Sequence, residues 1–150
     1  MELVKTSHCV YKIRYHMVTA VKYRKILLYK AVEDYIRLIM KGITERYDIV
    51  IDEIGFDRNH IHIFCGSNPS ISPMQIITTI KSITARKVFE RFPDIKEKEL
   101  WGGEFWSDGK YIETIGSAAN EEIIRKYIRN QSLDNSEIDR ITGQMRLFKI

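Results

Sequence analysis

The stretch Asn59-His60-Ile61-His62-Ile63-Phe64-Cys65-Gly66 decides how the rest of the chain is read. Alternate side chains of a strand leave opposite faces, so Ile61, Ile63 and Cys65 point one way and His60, His62 and Phe64 the other. The first set is apolar and suits a core. The second presents two imidazoles about 6.6 Å apart along the strand, close enough to lean onto one divalent ion and leave most of its coordination sphere open. A His-x-His pair alone also fits two half-solvated polar residues on a sheet. It gains weight here because the chain has only 4 histidines and a later helix supplies complementary chemistry.

The elements around this strand follow from periodicity. Cys9 to Val21 alternates, with Cys9, Tyr11, Ile13, Tyr15, Met17 and Val21 against a face holding Lys12, Arg14 and His16, and reads as a half-buried strand with a basic side. From Lys30 to Tyr47, Val32, Tyr35, Ile36, Ile39, Met40 and Ile43 recur at helical spacing. Asp48 to Ile54 is a second strand, joined to the histidine strand by a turn around Asp57-Arg58-Asn59. Ser72, Pro73 and Gln75 form the signature of a capped helix start, and Pro93 marks its end after Phe92. The aromatic and β-branched segment Leu100 to Gly116 predicts a strand or hairpin near Asp108-Gly109, with Trp101 and Trp106 as core or base-stacking candidates. A last helix runs from Ser117 to about Ser132, and a polar tail follows from about residue 133.

Composition sets the class. The 150 residues suffice for one domain with its own core, and 44% hydrophobic with 29% charged residues exclude wholesale disorder. A net charge of +4 leans mildly toward a polyanionic partner. Cys9 and Cys65 lie far apart in no metal-binding or redox spacing, which predicts buried reduced thiols in a cytoplasmic protein. No apolar run approaches the roughly 18 residues of a membrane span, and Met1 to Ser7 lacks a signal-peptide core.

On the last helix, Tyr127 and Gln131 share a face at i and i+4, with Asn120 near it. In isolation they read as a packing tyrosine and a solvated glutamine. Beside a metal-polarised phosphate, a phenol of intrinsic pKa about 10 becomes a usable nucleophile toward a phosphodiester. His60 and His62 are the candidate metal ligands and Gln131 the third. Tyr111, on a predicted strand without a ligand at helical spacing, is the lesser candidate. Lys12, Arg14, Lys81 and Arg86 are the candidate DNA contacts.

These residues resemble the HUH endonucleases, and among them the small single-tyrosine transposases of the TnpA type, together with the REP-associated tyrosine transposases. His60-Ile61-His62 is similar to the HUH motif, and Tyr127-Ile128-Arg129-Asn130-Gln131 to the helix carrying nucleophile and third ligand. Tyr15-His16-Met17-Val18 through Lys22-Tyr23-Arg24 resembles the first strand and its exit, and Ile112 to Gly116 the lead into the catalytic helix. The resemblance implies an α+β fold, a ferredoxin-like (RRM-like) antiparallel sheet with helices on one face plus a C-terminal catalytic helix. It further implies a transposase acting on single-stranded DNA hairpins through a 5′-phosphotyrosine intermediate, with a divalent metal ion (Mg or Mn). A homodimer whose tyrosine helix can serve the partner's site, in a bacterial or archaeal nucleoid, belongs to the same expectation.

Two other functions share the fold. A non-catalytic single-stranded nucleic-acid-binding module needs sheet aromatics but not the histidine, tyrosine and glutamine set together. A domesticated HUH nuclease processing host repeats keeps that set. Cyclic phosphodiesterases use paired H-x-T or H-x-S motifs, whereas His62 fills the third position here and no second copy occurs.

Overall fold

The computed structural model describes residues 3–116 and 118–130. Its centre is an antiparallel sheet built from β3 (Tyr15–Ala20), β4 (Ile49–Phe56), β5 (His60–Ser67) and β6 (Tyr111–Thr114), in the spatial order β4-β5-β3-β6. With α1 (Lys30–Arg46) between β3 and β4 and α2 (Pro73–Arg91) between β5 and β6, this is the β-α-β-β-α-β order of a ferredoxin-like α+β fold. Two short strands, β1 (Val4–Lys5) and β2 (Val10–Tyr11), pair with each other outside it. The alternating run therefore divides: Val10–Tyr11 joins the small ribbon, and only Tyr15–Ala20 enters the main sheet.

Strand parity assigns the two faces. Met17, Ile61, Ile63 and Cys65 turn toward α1 and α2, where they close a core with Val32, Ile36, Met40, Ile76, Ile77, Ile80 and Val88. Each helix presents its apolar stripe to the sheet because those residues recur at three and four. The start of α2 is fixed by its capping box: the Gln75 N–H donates to Ser72 Oγ at 3.1 Å, and the Ser72 N–H donates to Gln75 Oε1 at 2.7 Å.

The segment before β6 does not fold back on itself at Asp108-Gly109. Trp106 bridges Val21, just past β3, and Tyr111 pairs with Val18, so the segment follows β3 with surplus residues around Asp108-Gly109 between the two pairings. Trp106 belongs to the core, its indole N–H donating to Thr84 Oγ1 at 2.9 Å, whereas Trp101 is 84% exposed. Cys65 is buried, as expected, with its thiol pushed up to about 12 by loss of solvent; Cys9 is exposed, because β2 lies in the outer ribbon.

The opposite face of the sheet takes α3 (Ala118–Arg129). Ile128 is fully buried against Phe64 and Ile115, with Ile124 and Tyr127 packed beside them. A bulge in β4 strengthens this docking: Ile51 pairs with Cys65 and Glu53 with Phe64, leaving Asp52 as the extra residue. Asp52 accepts from Arg14 Nε at 2.5 Å and lies 3.3 Å from the Arg125 guanidinium, while Glu53 accepts from Arg129 at 2.8 Å. Arg125 also bonds Glu121 at 3.0 Å and lies over the Phe64 ring. Among the described residues no helix is long and apolar enough to cross a membrane.

Candidate functional site

Register explains why the imidazoles converge. Ala20 stands opposite His60 and Val18 opposite His62 across β3 and β5, so these four side chains share a face with His16, two residues further along β3. Three of the 4 histidines of the chain thus meet under α3, and all three are buried: His16, His60 and His62 are 3%, 4% and 0% exposed.

Each ring of the His60-Ile61-His62 pair is held through Nδ1. His60 Nδ1 lies 2.7 Å from Asn59 Oδ1, and His62 Nδ1 lies 2.9 Å from His16 Nε2. An amide oxygen only accepts, so His60 carries its proton on Nδ1 and keeps a lone pair on Nε2. The Nε2 atoms of both His60 and His62 are buried and have no hydrogen-bond partner among the described residues. Buried polar atoms of this kind are uncommon, and Asp57 Oδ2, 3.8 Å from His60 Nε2, is too far for a hydrogen bond. Burial disfavours the charged rings and lowers both pKa values: His62 goes well below the ordinary value, with the nearby His16 and His60 adding to the effect. At His60 the Asp57 carboxylate opposes burial and the Arg24 guanidinium reinforces it. Neutral imidazoles with free Nε2 lone pairs are the form that binds divalent cations.

Tyr127 packs against His62 and His16. Its ring is edge-on to His62 with centroids 5.5 Å apart, and 6.3 Å from His16. The helix register that buries Ile128 brings the preceding residue to the imidazoles of its own chain. Tyr111 is also near, 6.1 Å from His16, but its hydroxyl donates to Glu113 Oε2 at 3.1 Å. Gln131 lies outside the described residues, as does the tail from about residue 133. Among the described residues no three His, Cys, Asp or Glu side chains gather into a complete metal-binding group.

The basic candidates scatter. Arg14 is committed to Asp52 and to the Ile13 carbonyl. Lys12 is exposed between β2 and β3. Lys81 and Arg86 ride on α2, which packs against the other face of the sheet. Lys81 donates to the Ser107 carbonyl at 2.6 Å, and its partial burial, aided by Lys110, lowers its pKa; Arg86 lines an open groove of about 560 Å³ between α1 and α2.

Two neighbours of the imidazoles are absent from the sequence-based set. His16 is visible in the sequence as the one imidazole on the basic side of its strand, but its pairing with His62 depends on cross-strand register. Arg24 lies in a turn with positive φ at Tyr23 (59°) and at Arg24 itself (54°). One of its terminal nitrogens is buried and without a partner among the described residues. Non-glycine residues in that backbone region are held there at a cost and cluster at functional sites.

Comparison with known proteins places the chain among the transposases, enzymes that cut and rejoin DNA. More narrowly, it belongs to the family of IS200-like transposases, whose model matches residues 9–131. It is 29% identical over 131 residues to the ISDra2 transposase TnpA of Deinococcus radiodurans, covering 87% of this chain and 92% of that one. It is likewise 29% identical over 125 residues to the transposase for insertion sequence element IS200 of Salmonella typhimurium, covering 83% and 80%. A crystal structure of a Deinococcus radiodurans R1 chain assigned as a transposase superposes with a TM-score of 0.69 at 28% identity, over 85% of this chain and 97% of that one. The REP-associated tyrosine transposase bound to a REP hairpin shares the fold, with a TM-score of 0.58 at 10% identity over 83% and 70% of the two chains.

Proposed function

We propose that this transposase cuts and rejoins single-stranded DNA at a hairpin, with Tyr127 as nucleophile beside a metal held by His60 and His62. The observation that carries the reading is the pair of buried Nε2 atoms on His60 and His62 that have no hydrogen-bond partner among the described residues, with the Tyr127 ring against His62. The donor set fits a divalent cation of the Mg or Mn class held by His60 and His62, with Gln131 as third protein ligand, and such an ion supplies Lewis-acid polarisation of the scissile phosphate.

Tyr127 Oη attacks phosphorus and gives up its phenolic proton to solvent. The new Oη–P bond forms as the P–O3′ bond breaks, leaving a 5′-phosphotyrosine and a 3′-hydroxyl that takes up a proton. A 3′-hydroxyl from another strand later reverses the exchange, so the diester is remade without ATP. The partnerless nitrogen of Arg24 is suited to donate to a phosphate oxygen near His60. A hairpin is the substrate form favoured by likeness to the REP-hairpin-bound neighbour. We further propose a homodimer as the working unit.

The test is incubation of wild type and Tyr127→Phe with labelled single-stranded hairpin DNA from the gene's own flanks, with Mn or Mg and with EDTA, on a denaturing gel. A metal-dependent protein–DNA adduct that vanishes in the variant supports the reading. An adduct that persists in Tyr127→Phe transfers the role to Tyr111, and binding without cleavage under either metal favours a binding module.

A further inference from the structure

Beside His62, on the same face of the sheet, stand two more groups. His16 is diagonal to His62 across β3 and β5, with Nε2 2.9 Å from His62 Nδ1 and the rings 19° from parallel. Glu113 stands opposite His16 across β3 and β6, its carboxylate 3.8 Å from His16 Nδ1. The Tyr111 hydroxyl donates to that same carboxylate oxygen.

We propose that His16, backed by Glu113, is a positioning residue that fixes His62 as the Nδ1–H tautomer and so presents its Nε2 lone pair to the metal. This rests on the metal reading of the site. Only one proton fits between His16 Nε2 and His62 Nδ1. If His16 donated it, neutral His62 would carry its own proton on Nε2, a buried N–H without a partner that cannot ligate a cation. If His62 donates, His16 accepts on Nε2 and holds its proton on Nδ1, the atom facing the Glu113 carboxylate. The negative charge at Glu113 favours that second arrangement. His60 is set in the same way by Asn59, so both ligands are held from behind through Nδ1. Outer partners of this type orient metal-bound imidazoles and raise their basicity.

Two readouts test it. Long-range 15N–1H spectra of the metal-free protein give the His62 tautomer directly, and Mn²⁺ titration gives affinity without any DNA or turnover. The wild type should show His62 protonated on Nδ1. His16→Leu removes the acceptor and should shift His62 toward Nε2–H and weaken Mn²⁺ binding about 10- to 100-fold. His16→Gln, whose amide oxygen reaches the ring Nε2 position, should restore most of the affinity. A wild-type His62 protonated on Nε2, or a folded His16→Leu with unchanged tautomer and affinity, overturns the proposal. Should His16→Leu fail to fold, the wild-type tautomer and the His16→Gln affinity decide it. If the wild type itself binds no Mn²⁺, the metal reading falls, and the metal-free spectrum still reports whether His16 sets the ring.

Discussion

Replacing Ile128 with alanine tests whether α3 is a separately docked lid over the histidines. Ile128 is fully buried against Phe64 and Ile115, whereas Ile124 and Tyr127, the other α3 residues in that cluster, are only partly covered. The change removes three carbons, about 2.4 kcal/mol at roughly 0.8 kcal/mol per methylene. The cavity left between Phe64 and Ile115 adds to this, for a total of about 3 kcal/mol, inside the usual range for isoleucine to alanine. The ion pairs of Arg125 with Asp52 and of Arg129 with Glu53 remain, but pairs near the surface compensate little. The loss therefore falls on α3 docking and lowers its equilibrium constant by roughly two powers of ten. Hydrogen exchange followed by mass spectrometry should show α3 amides losing protection by about that factor, while α2, on the far side of the sheet, stays protected. Unchanged exchange in α3, or an equal loss in α2, would refute the reasoning, since the first denies the anchor and the second denies separate docking.

Other perturbations read different parts of the structure. A Cβ at Gly66 would sit 2.1 Å from the Ile13 carbonyl oxygen, so Gly66→Ala should cost about 3 kcal/mol in denaturant unfolding; a loss under about 1 kcal/mol would show that the 13–14 segment yields freely. Thr19 is fully buried with its hydroxyl unpartnered among the described residues, and Thr19→Val should stabilise by about 1 kcal/mol, an expectation contradicted by a lower melting temperature. Because burial lowers the pKa of His60 and His62, the unfolded chain binds more protons below about pH 6.5. The stability these groups confer is present above that pH and is lost as the pH falls toward their folded values, so thermal melts should be lower at about pH 5.5 than at about pH 7.5.

What the sequence discloses and what it withholds divide along local and long-range lines. The parity of His60 and His62 against Ile61 and Ile63, the Ser72–Gln75 capping box and the stripes of α1 depend on neighbours within a turn or a pleat, and all are legible in the chain. The ferredoxin-like order follows from their succession. Register is different. Arg14 sits on the basic side of its strand as its parity requires, yet it is committed to Asp52 because a bulge in β4 inserts that one residue between Ile51 and Glu53. His16 meets His62 only because Val18, not His16, is its direct cross-strand partner. Trp106 is sealed into the core by Thr84, far off in sequence, while Trp101, a few positions earlier, remains exposed. The strained turn that carries Arg24 has no glycine to announce it.

The central claim is that Tyr127 takes the broken strand onto itself. It is tested most directly by trapping the wild-type protein on single-stranded hairpin DNA with Mn²⁺, trimming the DNA with nuclease, and locating the nucleotide-bearing residue by mass spectrometry. The account predicts a 5′-phosphate on Tyr127 that is absent when EDTA replaces the metal. A nucleotide on Tyr111 or on any other residue, or the same adduct without metal, would contradict it.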